Sequence, residues 1–131
     1  MTTSPIVTVL IEGEGDIANV RNVARLSAQV LSFSITDQAR VGWAVANMAR
    51  LMLTLGHRDS MNISHVREGS RRGIRITCNG KWLRTVRASW LEQSTLSDVS
   101  QWVDEVNFTD GDAPSLRMVV WAPENGTKRS E

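Results

Sequence analysis

At 131 residues, with 41% apolar and 22% charged residues, three prolines and a formal net charge of +1, the chain has room for one core of ordinary size. It has neither the composition of a disordered or fibrous segment nor an apolar stretch long enough for a membrane. Its single cysteine, Cys78, cannot close an intrachain disulfide and has no Cys or His neighbours at metal-ligand spacing, so a reducing cytoplasm is the expected compartment. A charge so near zero selects no class of partner by itself.

The opening MTTSPIVTVLI has an apolar run of only six residues and no basic leader. It therefore reads as a strand over residues 6–11, bounded by Pro5 and by Gly13 and Gly15, rather than as a secretory signal. After the turn EGEGD, Asp16 is suited to cap a first helix, in which Ile17, Val20, Ala24, Ala28 and Leu31 share one face while Arg21 and Arg25 lie off it. Residues 32–34 should end that helix, and Thr36 or Asp37 should cap a second over residues 37–56, DQARVGWAVANMARLMLTLG. There Val41, Ala44, Val45, Met48, Met52 and Leu55 recur at helical spacing and cover an arc of about 100°, which should face the core. Gly56 stands where a helix takes its closing left-handed residue.

Two short apolar runs, residues 61–66 and 73–78, predict a second and a third strand joined through the loop EGSRR. Asn79-Gly80, the dipeptide best suited to a type I′ turn, then predicts a hairpin into a further strand. In that register Ile76 opposes Leu83 on the face of Ile74, but Arg75 opposes Arg84, and facing like charges disfavour the pairing. Thr95 or Ser97 should cap a third helix running to about Val106, with Asp98 in its first turn and Val99, Trp102, Val103 and Val106 inward. Residues 107–114 read as a turn-rich loop and 116–122 as a buried last strand; 124–131 are expected to form a disordered tail on a single domain spanning 1–123. The order of elements implies an α/β (α+β) two-layer sandwich, a mixed sheet covered on one face by about three helices.

The stretches GDIANVRNVARLSAQVLSFSITDQAR, MARLML and VDEVNFTDGDAPSLRMVVW resemble the serine kinases of bacterial anti-sigma and stressosome partner-switching systems, small members of the GHKL (histidine-kinase-like, Bergerat-fold) ATPase superfamily. The family's second helix carries an N-box, Glu-x-x-x-Asn, whose Glu activates a hydroxyl or water and whose Asn holds the magnesium that bridges the phosphates. Aligned through Ala49 and Arg50, those positions are Asn47 and Leu51 here. An amide has no lone pair basic enough to accept a proton near neutral pH, and leucine offers magnesium no oxygen. The family's next box, Asp-x-Gly-x-Gly, falls on Gly80, Trp82 and Arg84, so the adenine-reading Asp and both glycines are missing. A glycine-rich lid should follow, yet residues 81–110 contain no glycine. The resemblance therefore implies a degenerate relative without ATP or magnesium, in which a hairpin strand takes the place of the lid.

What remains is a protein-interaction module in bacterial signalling or transcription control. By resemblance its partner is a STAS-type antagonist, a phosphatase or a sigma factor, or a second copy of itself. Two alternatives stay open: an active serine kinase with a rearranged ATP and magnesium site, and a nucleic-acid regulator. Trp43 and Leu51 lie off the core stripe of the second helix, with Arg40 and Asn47 nearby; they either fill the space a nucleotide once occupied or form a partner surface. Residues 67–87 hold seven bases and one acid, whereas 92–112 hold six acids and no base. That segregation makes Arg71, Arg72, Arg75 and Arg84 candidates for docking an acidic partner, against the plainer reading of solvated faces. The basic run lacks the interleaved aromatic platform of a single-strand binder apart from Trp82. His57 and His65 have no carboxylate or thiol at ligand spacing, and no nucleophile elbow is present. Cys78 and the tryptophans read as core, Trp102 and Trp121 foremost.

Overall fold

The computed structural model describes residues 2–88 and 101–122, with side chains from residue 7 to 85 and from 101 to 122. The expected helix start near Thr95 or Ser97 and the tail 124–131 lie outside the described residues. Five strands, β1 (Thr2–Ile11), β2 (Asp59–Glu68), β3 (Arg71–Asn79), β4 (Glu105–Thr109) and β5 (Ser115–Trp121), form one sheet in the order β1-β2-β3-β5-β4. Helices α1 (Glu14–Val30) and α2 (Ile35–Thr54) pack against each other and onto one face of that sheet, α1 over β1 and β3 and α2 over β5. The architecture is the expected α+β two-layer sandwich, but every strand pair is antiparallel rather than mixed. The reason lies between β1 and β2. A single crossover helix returns the chain for a parallel strand; two consecutive helices, one back and one forward, deliver it for an antiparallel one.

The helix ends follow local chemistry. Helix α1 begins before Asp16, whose carboxylate reaches back to accept from the backbone N–H of Glu12 at 2.8 Å and of Gly13 at 3.1 Å. Helix α2 is capped by Ser34, whose hydroxyl accepts from the Asp37 N–H at 3.1 Å, so the cap falls two residues before Thr36. Gly56, at φ +80, closes α2 as anticipated. Its N–H donates to Leu53 O and that of His57 to Met52 O, the paired bonds of a Schellman ending. Ile11, Val20, Val45, Met48, Met52, Met61, Ile63, Ile74, Ile76, Leu116 and Met118 share one core between helices and sheet.

Two expected elements fail. The Asn79-Gly80 hairpin does not form: Gly80, at φ +133, donates its N–H to Pro114 O, and the chain enters a short helix, α3 (Trp82–Ala88). Strand β3 is already paired with β2 on one side and β5 on the other, so residues after Gly80 have no free edge to join. The helix also avoids the Arg75–Arg84 apposition. Likewise the third expected helix does not reach Val106. Gln101 and Trp102 are helical, but Glu105–Thr109 is strand β4, with Val106 and Phe108 packed toward the core, and the expected loop shrinks to residues 110–114.

On the face away from the helices, Trp121, Val66 and Val119 make a second, small cluster. The Trp121 ring lies on Gly73, where a Cβ would come within 2.8 Å of its Cε3. The Arg71 guanidinium sits 4.0 Å above the ring centre, and the indole N–H donates to the Glu105 carboxylate. Cys78 is fully buried in the main core, and burial, with Asp59 adding to it, pushes its thiol up to about 12. At pH 8 about one molecule in ten thousand then carries the reactive thiolate. Iodoacetamide should label native protein at the rate of global opening and unfolded protein at the rate of a free thiol, as intact-mass kinetics with and without urea would register. The same shift has a sign for stability. The neutral thiol contributes fully below pH 9.0, and that contribution is lost as pH rises toward 12.

Candidate functional site

The outer flank of α2 gathers most of the residues that the sequence singles out. Trp43 is 52% exposed and Trp102 37% exposed, and their rings stack with centroids 6.3 Å apart and planes 20° from parallel. Beneath the pair, Arg40 holds two acids at once. Nη1 donates to Asp37 Oδ1 at 2.9 Å and Nη2 to Asp104 Oδ1 at 3.0 Å. Asp37 is fully buried in the first turn of α2, and Asp104 also accepts the Trp121 backbone N–H at 2.7 Å. Burial acts to lower the basicity of Arg40, but its bonds to Asp37 and Asp104 outweigh that, and the net shift is upward. The guanidinium thus fastens the Gln101–Asp104 turn to α2 and sets the orientation of Trp102. Asn47 turns its amide back along its own helix, Nδ2 donating to Trp43 O at 2.8 Å.

Leu51 leaves this surface: it is buried in the main core together with Trp82, Leu83 and Val103. As a partner-surface candidate it is therefore corrected, because burial leaves it nothing to offer a partner. Trp102 is corrected in the other direction. Its helix stops before the phase that would have turned it inward can matter, and the ring lies on Trp43 in contact with solvent. The stacked pair is the feature that sequence periodicity missed, because the expected helix ran on to Val106 and turned Trp102 inward.

Where the resemblance leads one to expect the second box, Gly80 holds a left-handed turn and Trp82 lies directly against it, its Cδ1 2.7 Å from where a Cβ would stand. The Trp82 Nε1–H donates to Asn79 O at 3.1 Å and its ring lies 6.4 Å from that of His57. Arg84 points outward, paired with Asp110 at 3.5 Å and bonded to Gly111 O. The volume beside the end of β3 is filled by an indole and by leucine side chains.

The basic run does not make one patch. Alternation along β3 puts Arg71 and Arg75 on the sheet face away from the helices and Arg72 on the other, while Arg84 lies beyond the far end of the strand. Acids from the β4 region meet three of the described arginines: Asp104 with Arg40, Glu105 with Arg71 at 3.6 Å, and Asp110 with Arg84. Two of the seven bases of residues 67–87 thus meet acids of residues 92–112 within the chain, Arg71 across β5 and Arg84 beyond the end of β3. At these exposures each outer pair stabilises by about 0.5 kcal/mol or less. Among the described residues no group of three or more His, Cys, Asp or Glu is placed to hold a metal ion. None of the described helices is long and apolar enough to cross a membrane.

Among solved structures, a chain of the SiaB–SiaC complex from Pseudomonas aeruginosa is similar, with a TM-score of 0.53 and 9% identity over 91% of this chain and 90% of that chain. At that identity the likeness is one of fold, carried across nearly the full length of both. No family model matches the sequence, and no curated protein does.

Proposed function

We propose that the chain is a regulatory protein-interaction module of bacterial signalling or transcription control, acting in the cytoplasm on a Bergerat-like scaffold that has lost its nucleotide chemistry. The observation that carries this reading is the exposed Trp43–Trp102 pair on the very flank of α2 where an N-box would act. Rigid, half-exposed indoles held by an ion-pair network are what interfaces use as anchors. Asn47 and Leu51 supply neither base nor metal ligand, and Trp82 occupies the second box. The fold likeness to a member of a two-protein complex supports the same reading. By resemblance the partner is a STAS-type antagonist, a phosphatase or a sigma factor.

Two measurements test it. Calorimetry of the purified chain with ATP and magnesium should give no saturable heat up to millimolar nucleotide; a clear isotherm would return the chain to the kinases. Trp43→Ala should leave thermal stability within the range of ordinary surface substitutions, about 0.5 kcal/mol. Used as bait beside the native chain, it should lose the partner that the native chain retains. Equal retention by both would remove the indole pair from the interface.

A further inference from the structure

We infer that one end of the sandwich rests on an anionic phospholipid surface, with the corner between α1 and α2 entering the headgroup layer and a collar of arginines around it. Helix α1 starts beyond the Ile11 end of β1 and packs back along that strand, so its last residue, Val30, returns toward the Thr2 end. Thr2 pairs with Arg67, and the β2–β3 turn therefore stands at the same end of the sheet, one layer below the corner.

The corner is apolar where it meets water. Leu26 is 60% exposed, Val30 74% and Ile35, the first residue of α2, 82%. They are the three most exposed large apolar side chains among the described residues, and all stand around one turn of the chain. Such a cluster marks an interaction site. Its charges are of one sign. From Ile17 to Thr36 the chain holds Arg21 and Arg25 and no acid. These two are four residues apart on α1, a spacing at which like charges repel, and the stems of both lie over Gly42. Arg67 and Arg72 face each other across β2 and β3, on the side of the sheet that carries the helices, and repel in the same way. None of the four meets an acid among the described residues, and Glu68, next to Arg67, is held by Arg71 at 3.6 Å. Two uncompensated repulsions at one end of a fold call for an anion from outside. Between the helices an open groove of about 320 Å³, lined by Arg25, Asn22, Gln29, Gln38 and Leu26, offers a guanidinium and three carboxamides to the oxygens of a headgroup.

A protein partner is met by aromatic anchors in a concave site, whereas the apolar residues here are aliphatic and project from a turn. A bilayer takes them as they stand. The three aliphatic side chains reach the acyl boundary while the arginines stay at the level of the phosphates. So small an apolar contact gives reversible attachment rather than an anchor. The inference does not rest on the function proposed above.

Flotation of the full chain with extruded vesicles is the test. Vesicles of phosphatidylcholine mixed with phosphatidylglycerol should carry the chain upward, those of phosphatidylcholine alone should leave it behind, and raised salt should release it. Two double variants divide the contact: Val30→Gln with Ile35→Gln at exposed helix ends, and Arg67→Gln with Arg72→Gln, which relieves a repulsion. Both should keep the thermal unfolding of the native chain, and each is expected to raise the lipid concentration for half-binding at least tenfold. Ile35→Trp supplies a readout inside the contact, since the emission it adds should shift to the blue on anionic vesicles only. A native chain left behind by anionic vesicles overturns the inference, and is what an end suited to an acidic protein would give. So does equal binding to both kinds of vesicle, or binding that both double variants leave unchanged.

Discussion

Replacing Arg40 with methionine lowers the stability of the folded chain by about 3 kcal/mol, the usual cost of stranding one member of a buried ion pair. Methionine preserves most of the side-chain volume, so the loss reports charge rather than packing. The reason for the size is Asp37, which is fully buried and meets the Arg40 guanidinium at 2.9 Å. Removing the guanidinium also takes away one of the bonds that hold Asp104, which stays tied to β5 through the Trp121 N–H, in the turn that carries Trp102. Urea unfolding of Arg40→Met should therefore show the loss, and its native-state tryptophan emission should shift as the Trp43–Trp102 stack loosens. Adding Asp37→Asn to Arg40→Met should recover part of the stability, because the buried negative charge that faced the guanidinium is then gone. A change below about 0.5 kcal/mol in the single variant would class the contact with ordinary exposed pairs.

The second large effect is at Trp82. Truncation to alanine should cost about 4 kcal/mol, as for other buried tryptophans, while Trp82→Phe should cost much less. The value discriminates between the two readings of the segment after Asn79. In a hairpin, Trp82 would stand on the opposite face from Leu83, away from the core, and its truncation would matter little. In helix α3 the two are neighbours, both buried in the main cluster. Leu83→Ala is costly either way and serves as the control for folding.

These two positions also mark where the sequence was legible and where it was not. The apolar stripe of α2, the glycine that closes it and the first and last strands were readable because each depends on contacts within a few residues or on simple alternation, whereas of the expected loop EGSRR only Gly69 and Ser70 lie outside β2 and β3. Helix caps lie two or three residues before those expected: Ser34 stands where Thr36 or Asp37 was expected, and Gly13 precedes Asp16, whose carboxylate reaches back to the Glu12 and Gly13 N–H groups. Asn79-Gly80 misled because turn chemistry is local, whereas the availability of an edge on β3 is decided by β5, some forty residues further on. The run Val99, Trp102, Val103, Val106 fits a helix, yet Val106 and Phe108 also alternate as a strand, and pairing with β5 decided the matter. That error hid Trp102 in a core to which it does not belong. Within the site, the residue types at Asn47, Leu51, Gly80 and Trp82 could be read directly, but the fate of the charges could not. Complementary runs far apart in sequence look like a docking signal until the sheet brings Glu105 beside Arg71 and Asp110 beside Arg84.

The placement of β5 between β3 and β4 has a consequence for how the molecule comes into being on the ribosome. When β1, α1, α2, β2 and β3 have all emerged, they still lack the strand that covers one side of β3 and supports α2 from below. Until Ser115–Trp121 leaves the exit tunnel, the nascent chain exposes an unpaired β3 edge and the undersides of Met48 and Met52. The domain should therefore close late and in one step rather than grow outward from its N-terminal half, and a chain stalled before Ser115 should remain dependent on chaperones.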